Sequence, residues 1–297
     1  MVLASRSKQK REEKPNMSRL SMGSLSIVAR QLPQLFAIIL VLILGSSYAK
    51  AGAIGGDNRH PIDEYAKLHS MSPDEARKKF GASGRIMCPF GEASAFLIFK
   101  SNIVVTARHV LFPEASMGGY AGRMSITRCG FEVSDGKGSK WHKVDVRSFL
   151  YPDAVQRSLT DRFDWVVMRL SEPVTEFEPY HMPSKPVSAG EKITMATIRQ
   201  DNFLPDDWNE RILTDCRIRA IDNIDGVVAS GIRTDCSSGH GASGGALLRQ
   251  GPQGLEAVGV MSSMSASCTT FNRKRCYTFA VGFEPELVAA VHKLAGE

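Results

Sequence analysis

The stretch Asp235 to Leu248, DCSSGHGASGGALL, carries a lone serine, Ser243, among glycines and small residues. Glycines leave backbone N–H groups uncovered, and a serine hydroxyl is a poor nucleophile unless a neighbouring base activates it. The stretch is therefore either a glycine-rich turn between two strands or the seat of an activated nucleophile. What the rest of the chain can bring to Ser243 decides between the two.

Outward from this stretch, the chain after about Arg85 is a series of short apolar, β-branched runs separated by Gly, Pro, Asn and Asp. They include SAFLIFK, NIVVTA, GRMSITRCGFEV, HKVDVRSFL, DWVVMRL, EKITMATI, ILTDCRIRAI, GVVASGI, ALLRQ, LEAVGVMSS and CYTFAVGF. Many short strands at close spacing indicate an all-β barrel or sandwich. No helical patterns of 10–15 residues separate them, which disfavours a parallel α/β sheet. Ser171 to Glu191, with four prolines, divides the series as an interdomain linker. The expected organisation is a leader over 1–53 and an N-terminal extension over 54–83. A first β-barrel follows over 84–170, the linker over 171–191, a second β-barrel over 192–282 and a C-terminal helix over 283–297. In the extension, residues 54–70 read as polar and turn-rich. Ser72-Pro73-Asp74-Glu75 has the N-cap, N1 and N3 residues of a helix start, so one short helix is expected over 73–80. Leu287, Val288, Val291 and Leu294 recur at helical spacing near the C-terminus. No internal repeat is visible.

The formal charge of +6 sits in the leader. Residues 1–51 hold eight Lys/Arg and two acids, leaving 29 basic and 29 acidic residues after them. The folded part is formally neutral, and no nucleic-acid partner is implied. Leu35 to Leu44, LFAIILVLIL, is a short apolar run behind basic residues and ahead of small ones, the order of a secretory signal. It is shorter than the roughly 20 residues that span a bilayer. Cleavage after Ala49, Ala51 or Ala53 fits, and translation could start at Met1, Met17 or Met22. An uncleaved signal anchor is the alternative, and it would be the chain's only tie to a membrane. Export to a periplasmic or extracellular compartment gives meaning to the six cysteines, all beyond the leader. An even number suggests up to three disulfides, with 15 possible pairings. No C-x-x-C occurs, so no structural metal site is expected, and no cofactor is called for.

Three segments carry potential chemistry. His109 in NIVVTARHVLF follows a strand directly and could equally pack its end. Asp164 in DRFDWVVMRL stands at the mouth of an apolar run, with Asp161 as a competitor. Ser243 lies in GHGASGGALL. In order, His109, Asp164 and Ser243 are separated by 55 and 79 residues. With the motifs VVTARHV, DWVVMRL and GASGGALL, this chain resembles the trypsin/chymotrypsin-like serine peptidase superfamily over roughly residues 84–296. The resemblance implies two six-stranded antiparallel barrels with the site between them. His109 would then be general base, Asp164 its orienting carboxylate and Ser243 the nucleophile. The N–H groups of Gly241 and Ser243 would bind the oxyanion, and Ser262 would stand beside the buried Asp164. It also implies a polypeptide substrate, and a monomer is expected.

Several positions depart from the animal digestive members. Ala242 replaces the aspartate that pairs with a newly cut N-terminus, so activation by that ion pair is not expected, although AIGGDNR at Ala53 to Arg59 looks like a mature start. Cys236 and Cys216 resemble the secreted bacterial glutamyl-endopeptidase-like branch. That likeness suggests Cys216–Cys236, with Cys268–Cys276 closing a short loop beside the specificity pocket and Cys88–Cys129 left to link strands of the first barrel. At the pocket base stands Ser237 and not aspartate. Met261 occupies the place of that branch's pocket histidine; His240, three before Ser243, could face an acidic side chain but reads rather as a rim residue. Ser237, Ser238, Met261 and Met264, with Ser262 on the same strand as Met261, suggest a small-to-medium, mostly uncharged pocket. Two rivals remain. GASGG also satisfies the G-x-S-x-G elbow of α/β-hydrolases, whose triad order is Ser…Asp/Glu…His; no aspartate follows Ser243. The other is a catalytically silent binding protein on the same fold.

Overall fold

From Ser83 onward the apolar runs are laid down as twelve antiparallel strands in two closed barrels. A computed structural model describes residues 52–89, 91–112, 128–152, 162–198 and 210–297. The signal run, the start sites at Met17 and Met22, the cut sites after Ala49 and Ala51, the GRMSIT run and Asp161 lie outside the described residues.

The first barrel contains β2 (Ser83–Cys88), β3 (Gly91–Ile98), β4 (Lys100–Thr106), β5 (Gly130–Ser134), β6 (Ser139–Leu150) and β7 (Val166–Leu170). It closes in the order β2-β3-β4-β7-β6-β5. Residues 93–98 and 103–107 are buried without alternation. Strands covered on both faces read as continuous apolar runs. Ser94 and Thr106 are buried polar residues within them.

The second barrel contains β8 (Lys192–Ile198), β9 (Arg211–Ile224), β10 (Val227–Thr234), β11 (Ala246–Gln250), β12 (Leu255–Met264) and β13 (Thr278–Gly282). The β8–β9 pairing closes it, and β1 (Arg59–Pro61) adds to the outside of β9. The chain leaving Ser243 enters strand β11 and not a helix. The strand-to-helix elbow of an α/β-hydrolase is thereby excluded.

The connection between the barrels pairs with both of them. Tyr180 exchanges backbone hydrogen bonds with the first barrel (Phe99 N–H to Tyr180 O, 2.8 Å; Tyr180 N–H to Leu97 O, 3.0 Å). The next residue, His181, does the same with the second (His181 N–H to Leu255 O, 2.9 Å; Ala257 N–H to His181 O, 3.0 Å). Four prolines in the sequence mark where helix and central strand are barred, but they do not reveal these edge pairings. Arg211 adds a buried tie, donating to Ser83 O (2.9 Å) and Gly81 O (3.2 Å). Burial lowers its pKa to about 10.

The extension holds two helices where one is expected. α1 (Ile62–Leu68) buries Ile62, Tyr65 and Ala66, and α2 (Pro73–Lys79) follows. α1 has Pro61 at its N-cap with no side-chain cap. Two turns without a capping residue give little periodic signal, and tertiary burial stabilises the segment. α2 has the full capping box: Ser72 Oγ accepts from Glu75 N–H, and Glu75 Oε2 accepts from Ser72 N–H. A one-turn helix, α3 (Arg108–Leu111), follows β4.

The C-terminal helix, α4 (Pro285–Ala295), leaves the second barrel and docks on β4, β6 and β7 of the first. Leu287, Ala290, Val291 and Leu294 are buried, whereas Val288 is half-buried. Lys100 and Arg169 donate to the Ala295 and Leu294 carbonyls (2.9 and 3.4 Å). Cations at that end complement the helix dipole. The six cysteines stand at disulfide distance as Cys88/Cys129, Cys216/Cys236 and Cys268/Cys276. Among the described residues, no helix is long and apolar enough to cross a membrane.

Candidate active site

His109, Asp164 and Ser243 meet where the barrels face each other. His109 sits on α3, immediately after β4, and Asp164 two residues before β7. β4 and β7 are hydrogen-bonded neighbours, with Thr106 opposite Val166. Residues just beyond these two strand ends are therefore adjacent, although 55 residues apart in sequence. Ser243 comes from the second barrel, on the turn before β11.

Asp164 holds His109 with both oxygens. Oδ1 accepts the His109 backbone N–H (2.8 Å), and Oδ2 lies 2.8 Å from Nδ1. Ser262 Oγ also donates to Oδ2. The side chain of Asp164 is 0% exposed and that of His109 24%. Burial alone would raise the Asp164 pKa, but the two His109 donors and the Ser262 hydroxyl hold it below the ordinary 3.8. Burial pushes the His109 ring down, while the hydrogen bond and charge of Asp164 push it up and prevail, so it titrates above 6.5. An ionised Asp164 places the His109 proton on Nδ1. Nε2 is then the acceptor, and Ser243 Oγ stands 3.0 Å from it. Ser262 O, at 3.4 Å, is the other acceptor near Ser243 Oγ.

The loop before Ser243 is shaped by glycine. Gly241 and Gly244 have φ of +93° and +81°, a region L-residues seldom enter. Among the described residues, no acceptor takes the N–H of Gly241 or of Ser243. The peptide following Gly241 is fixed by Ser94, whose N–H (3.2 Å) and Oγ (2.8 Å) both donate to Gly241 O. Ser94 Oγ also accepts from Ile198 N–H (2.9 Å), and Thr106 Oγ1 donates to Ser94 O (2.7 Å). Ser94 and Thr106 thus join the strand that leads to His109 to the loop that carries Ser243. Reading the sequence finds neither role. The one signal is a serine inside the apolar run GEASAFLI, which needs a partner when buried.

Gly244 is more than a bend. A Cβ there would stand 2.1 Å from both Ser94 O and Thr106 Oγ1. The serine loop therefore approaches the first barrel closely enough to admit only hydrogen. Gly244→Ala adds this clash to about 1–3 kcal/mol of backbone strain. Thermal unfolding of this variant should therefore show a lower Tm.

The residues expected to line a pocket are distributed unequally. Ser237, Ser238, Met261 and Ser262 are buried, Met264 is half-buried and His240 is exposed. Ser237 Oγ donates to Gly56 O (3.0 Å), whereas Ser238 Oγ is buried without a partner among the described residues. Met261 packs with Cys236, Ala242 and Met264. A cavity of about 620 Å³ lined by Tyr65, Asp215 and Arg217 involves none of His109, Asp164 and Ser243. Arg162, two residues before Asp164, reaches Glu284 (3.4 Å) and Glu286 (3.3 Å), tying this approach to the start of α4.

Two six-stranded barrels with histidine, aspartate and serine converging between them define the architecture of a chymotrypsin-like peptidase. The model of the trypsin-like peptidase domain matches residues 93–260, more than half of the chain, and the chain belongs to that family. Among solved structures, a Glu endopeptidase in complex with MPD shares the fold, with a TM-score of 0.61 and 13% identity over 82% of this chain and 100% of the other. No curated protein matches the sequence.

Proposed function

We propose that the protein is an exported serine endopeptidase that hydrolyses polypeptides through an acyl-enzyme intermediate. The observation that carries this reading is the continuous hydrogen-bonded series from Asp164 through His109 to Ser243 Oγ. Ser243 Oγ attacks the substrate carbonyl carbon as its proton passes to His109 Nε2. Asp164 stabilises the imidazolium, and the N–H groups of Gly241 and Ser243 receive the developing oxyanion. His109 then protonates the leaving amine as the C–N bond breaks, giving the Ser243 ester. Water, deprotonated by His109, hydrolyses that ester and restores Ser243. For the pocket, Ser237, Ser238, Met261 and Met264 support an uncharged P1 side chain of small to medium size, with His240 at the rim. Export rests on the order of basic, apolar and small residues in the leader and on the paired cysteines.

The base must be neutral to accept the serine proton. Its raised pKa therefore gives kcat/KM an acid limb: activity increases with pH through an apparent pKa above the ordinary histidine value of 6.5. Profiling a peptide library from acid to alkaline pH tests both parts of the reading. Cleavage with that limb and an uncharged P1 preference is expected. Absence of cleavage by folded protein, or a strict Arg, Lys or Glu preference, would contradict it. Stability carries opposite signs for the two groups. His109 contributes stability below its unfolded pKa that is lost as pH rises through the folded value. Asp164 contributes stability above its unfolded pKa that is lost as pH falls through the folded one.

A further inference from the structure

The residues ahead of the first barrel reach the wall of the substrate pocket. Gly52 and Ser238 exchange two backbone hydrogen bonds, N–H to O in each direction at 3.0 Å. Gly55 N–H donates to Thr269 O (2.8 Å), and Gly56 O accepts from Ser237 Oγ (3.0 Å). Ile54 is buried between these contacts. The approach is backbone to backbone, since a Cβ on Gly52 would stand 2.7 Å from Ser265 O. One five-residue segment thus spans two walls. One wall is the Ser237-Ser238 step leading to Ser243, and the other is the 265–269 segment at the base of the Cys268–Cys276 loop. Farther along, Asn58 Nδ2 donates to Asp215 O (2.6 Å) and β1 pairs with β9, which anchors the far end of the segment.

Ala242 gives the serine loop no carboxylate with which to bind an N-terminal ammonium. The order of that loop comes from other contacts. Those on its first residues include the Arg219–Asp235 ion pair (3.5 Å), the Cys216–Cys236 pair, the Thr278 Oγ1 donation to Cys236 O (2.8 Å) and the bonds with Gly52 and Gly56. We propose that Gly52–Gly56 is a built-in clamp on the pocket wall, so that processing leaves a working site only when it falls ahead of Gly52. The inference rests on the peptidase reading for the identity of the pocket. A chain cut after Ala51 keeps all four bonds, because the Gly52 amine still donates to Ser238 O. A chain cut after Ala53 loses both Gly52 bonds and half of the clamp. The start that looks most like a mature peptidase, Ile54, is then the one that disables the site.

The test compares the full chain with Gly52→Val in the full chain and with chains beginning at Gly52 and at Ile54. Hydrogen exchange at the Ser238 amide reads the clamp directly and needs no turnover. Disulfide mapping and a cooperative thermal transition verify folding. The Gly52-start chain should match the full chain in Ser238 protection and in kcat/KM. The Ile54-start chain and Gly52→Val should each lose Ser238 protection, with kcat/KM lower on the order of 100-fold through both KM and kcat. Full protection and unchanged kcat/KM in both would overturn the clamp. A protein that cleaves nothing in any form contradicts the peptidase reading, and Ser238 exchange still decides the clamp. Should the Ile54-start chain fail to fold, Gly52→Val carries the comparison.

Discussion

Ser243→Ala is expected to reduce kcat by roughly a millionfold, the scale seen when the nucleophile of such a triad is removed. Among the described residues, Ser243 Oγ is the hydroxyl oxygen within hydrogen-bonding distance of His109 Nε2. Alanine leaves the base with no proton to take. The remaining rate enhancement, about 10³–10⁴ over water, belongs to the oxyanion donors and to substrate binding. Those donors are backbone N–H groups on Gly241 and on residue 243 itself, which alanine preserves. The variant should therefore bind substrate with KM little changed, fold with the same Tm within about 0.5 kcal/mol of stability, and fail only in turnover. Steady-state kinetics with a sensitive fluorogenic peptide separates these outcomes.

Asp164→Asn is expected to lower kcat about 10⁴-fold near neutral pH. The substitution is nearly isosteric, but Asp164 accepts three hydrogen bonds, from His109 N–H, His109 Nδ1 and Ser262 Oγ. An asparagine with its oxygen toward the backbone N–H turns its NH₂ toward Nδ1 and Ser262. Nδ1 must then be the acceptor, which moves the ring proton to Nε2. A protonated Nε2 points a hydrogen at Ser243 Oγ and cannot receive another. The acid limb should also move to lower pH, because the group that raises the His109 pKa has lost its charge. Both changes are read from one pH–rate profile. A variant with near-normal turnover and an unmoved limb would mean that Asp164 only packs.

The motifs were readable because each is local. Thr-Ala-Arg-His, Asp-Trp-Val-Val and Gly-Ala-Ser-Gly-Gly place three functional groups at strand ends, and their order implied which barrel carries each. The strand runs read well for the same reason, since buried strands are continuous in apolar residues. What sequence did not disclose is contact across the chain. Ser94 reads as a polar interruption in β3, and its acceptor, Gly241 O, is 147 residues away. Gly244 reads as a turn residue until the Thr106 hydroxyl is seen where its Cβ would be. The polar stretch 54–70 yields no periodic signal, and the pairing of Gly52 with Ser238 just ahead of it runs through backbone atoms, which leave no mark on side-chain pattern. α1 is held by Tyr65, whose hydroxyl donates to Asp215 (2.9 Å). Burial pushes the pKa of that hydroxyl well above its ordinary value, so it stays a protonated donor.

The central claim is that Ser243 is a nucleophile activated by His109. A fluorophosphonate probe tests it without knowledge of the substrate, because it reacts with an activated serine hydroxyl and not with an ordinary one. Intact-mass and peptide mapping of the folded, disulfide-bonded protein should show one adduct, on Ser243. Labelling should slow as pH falls through the His109 pKa and vanish in Ser243→Ala. An unlabelled but fully folded protein, or an adduct on any other residue, would contradict the account.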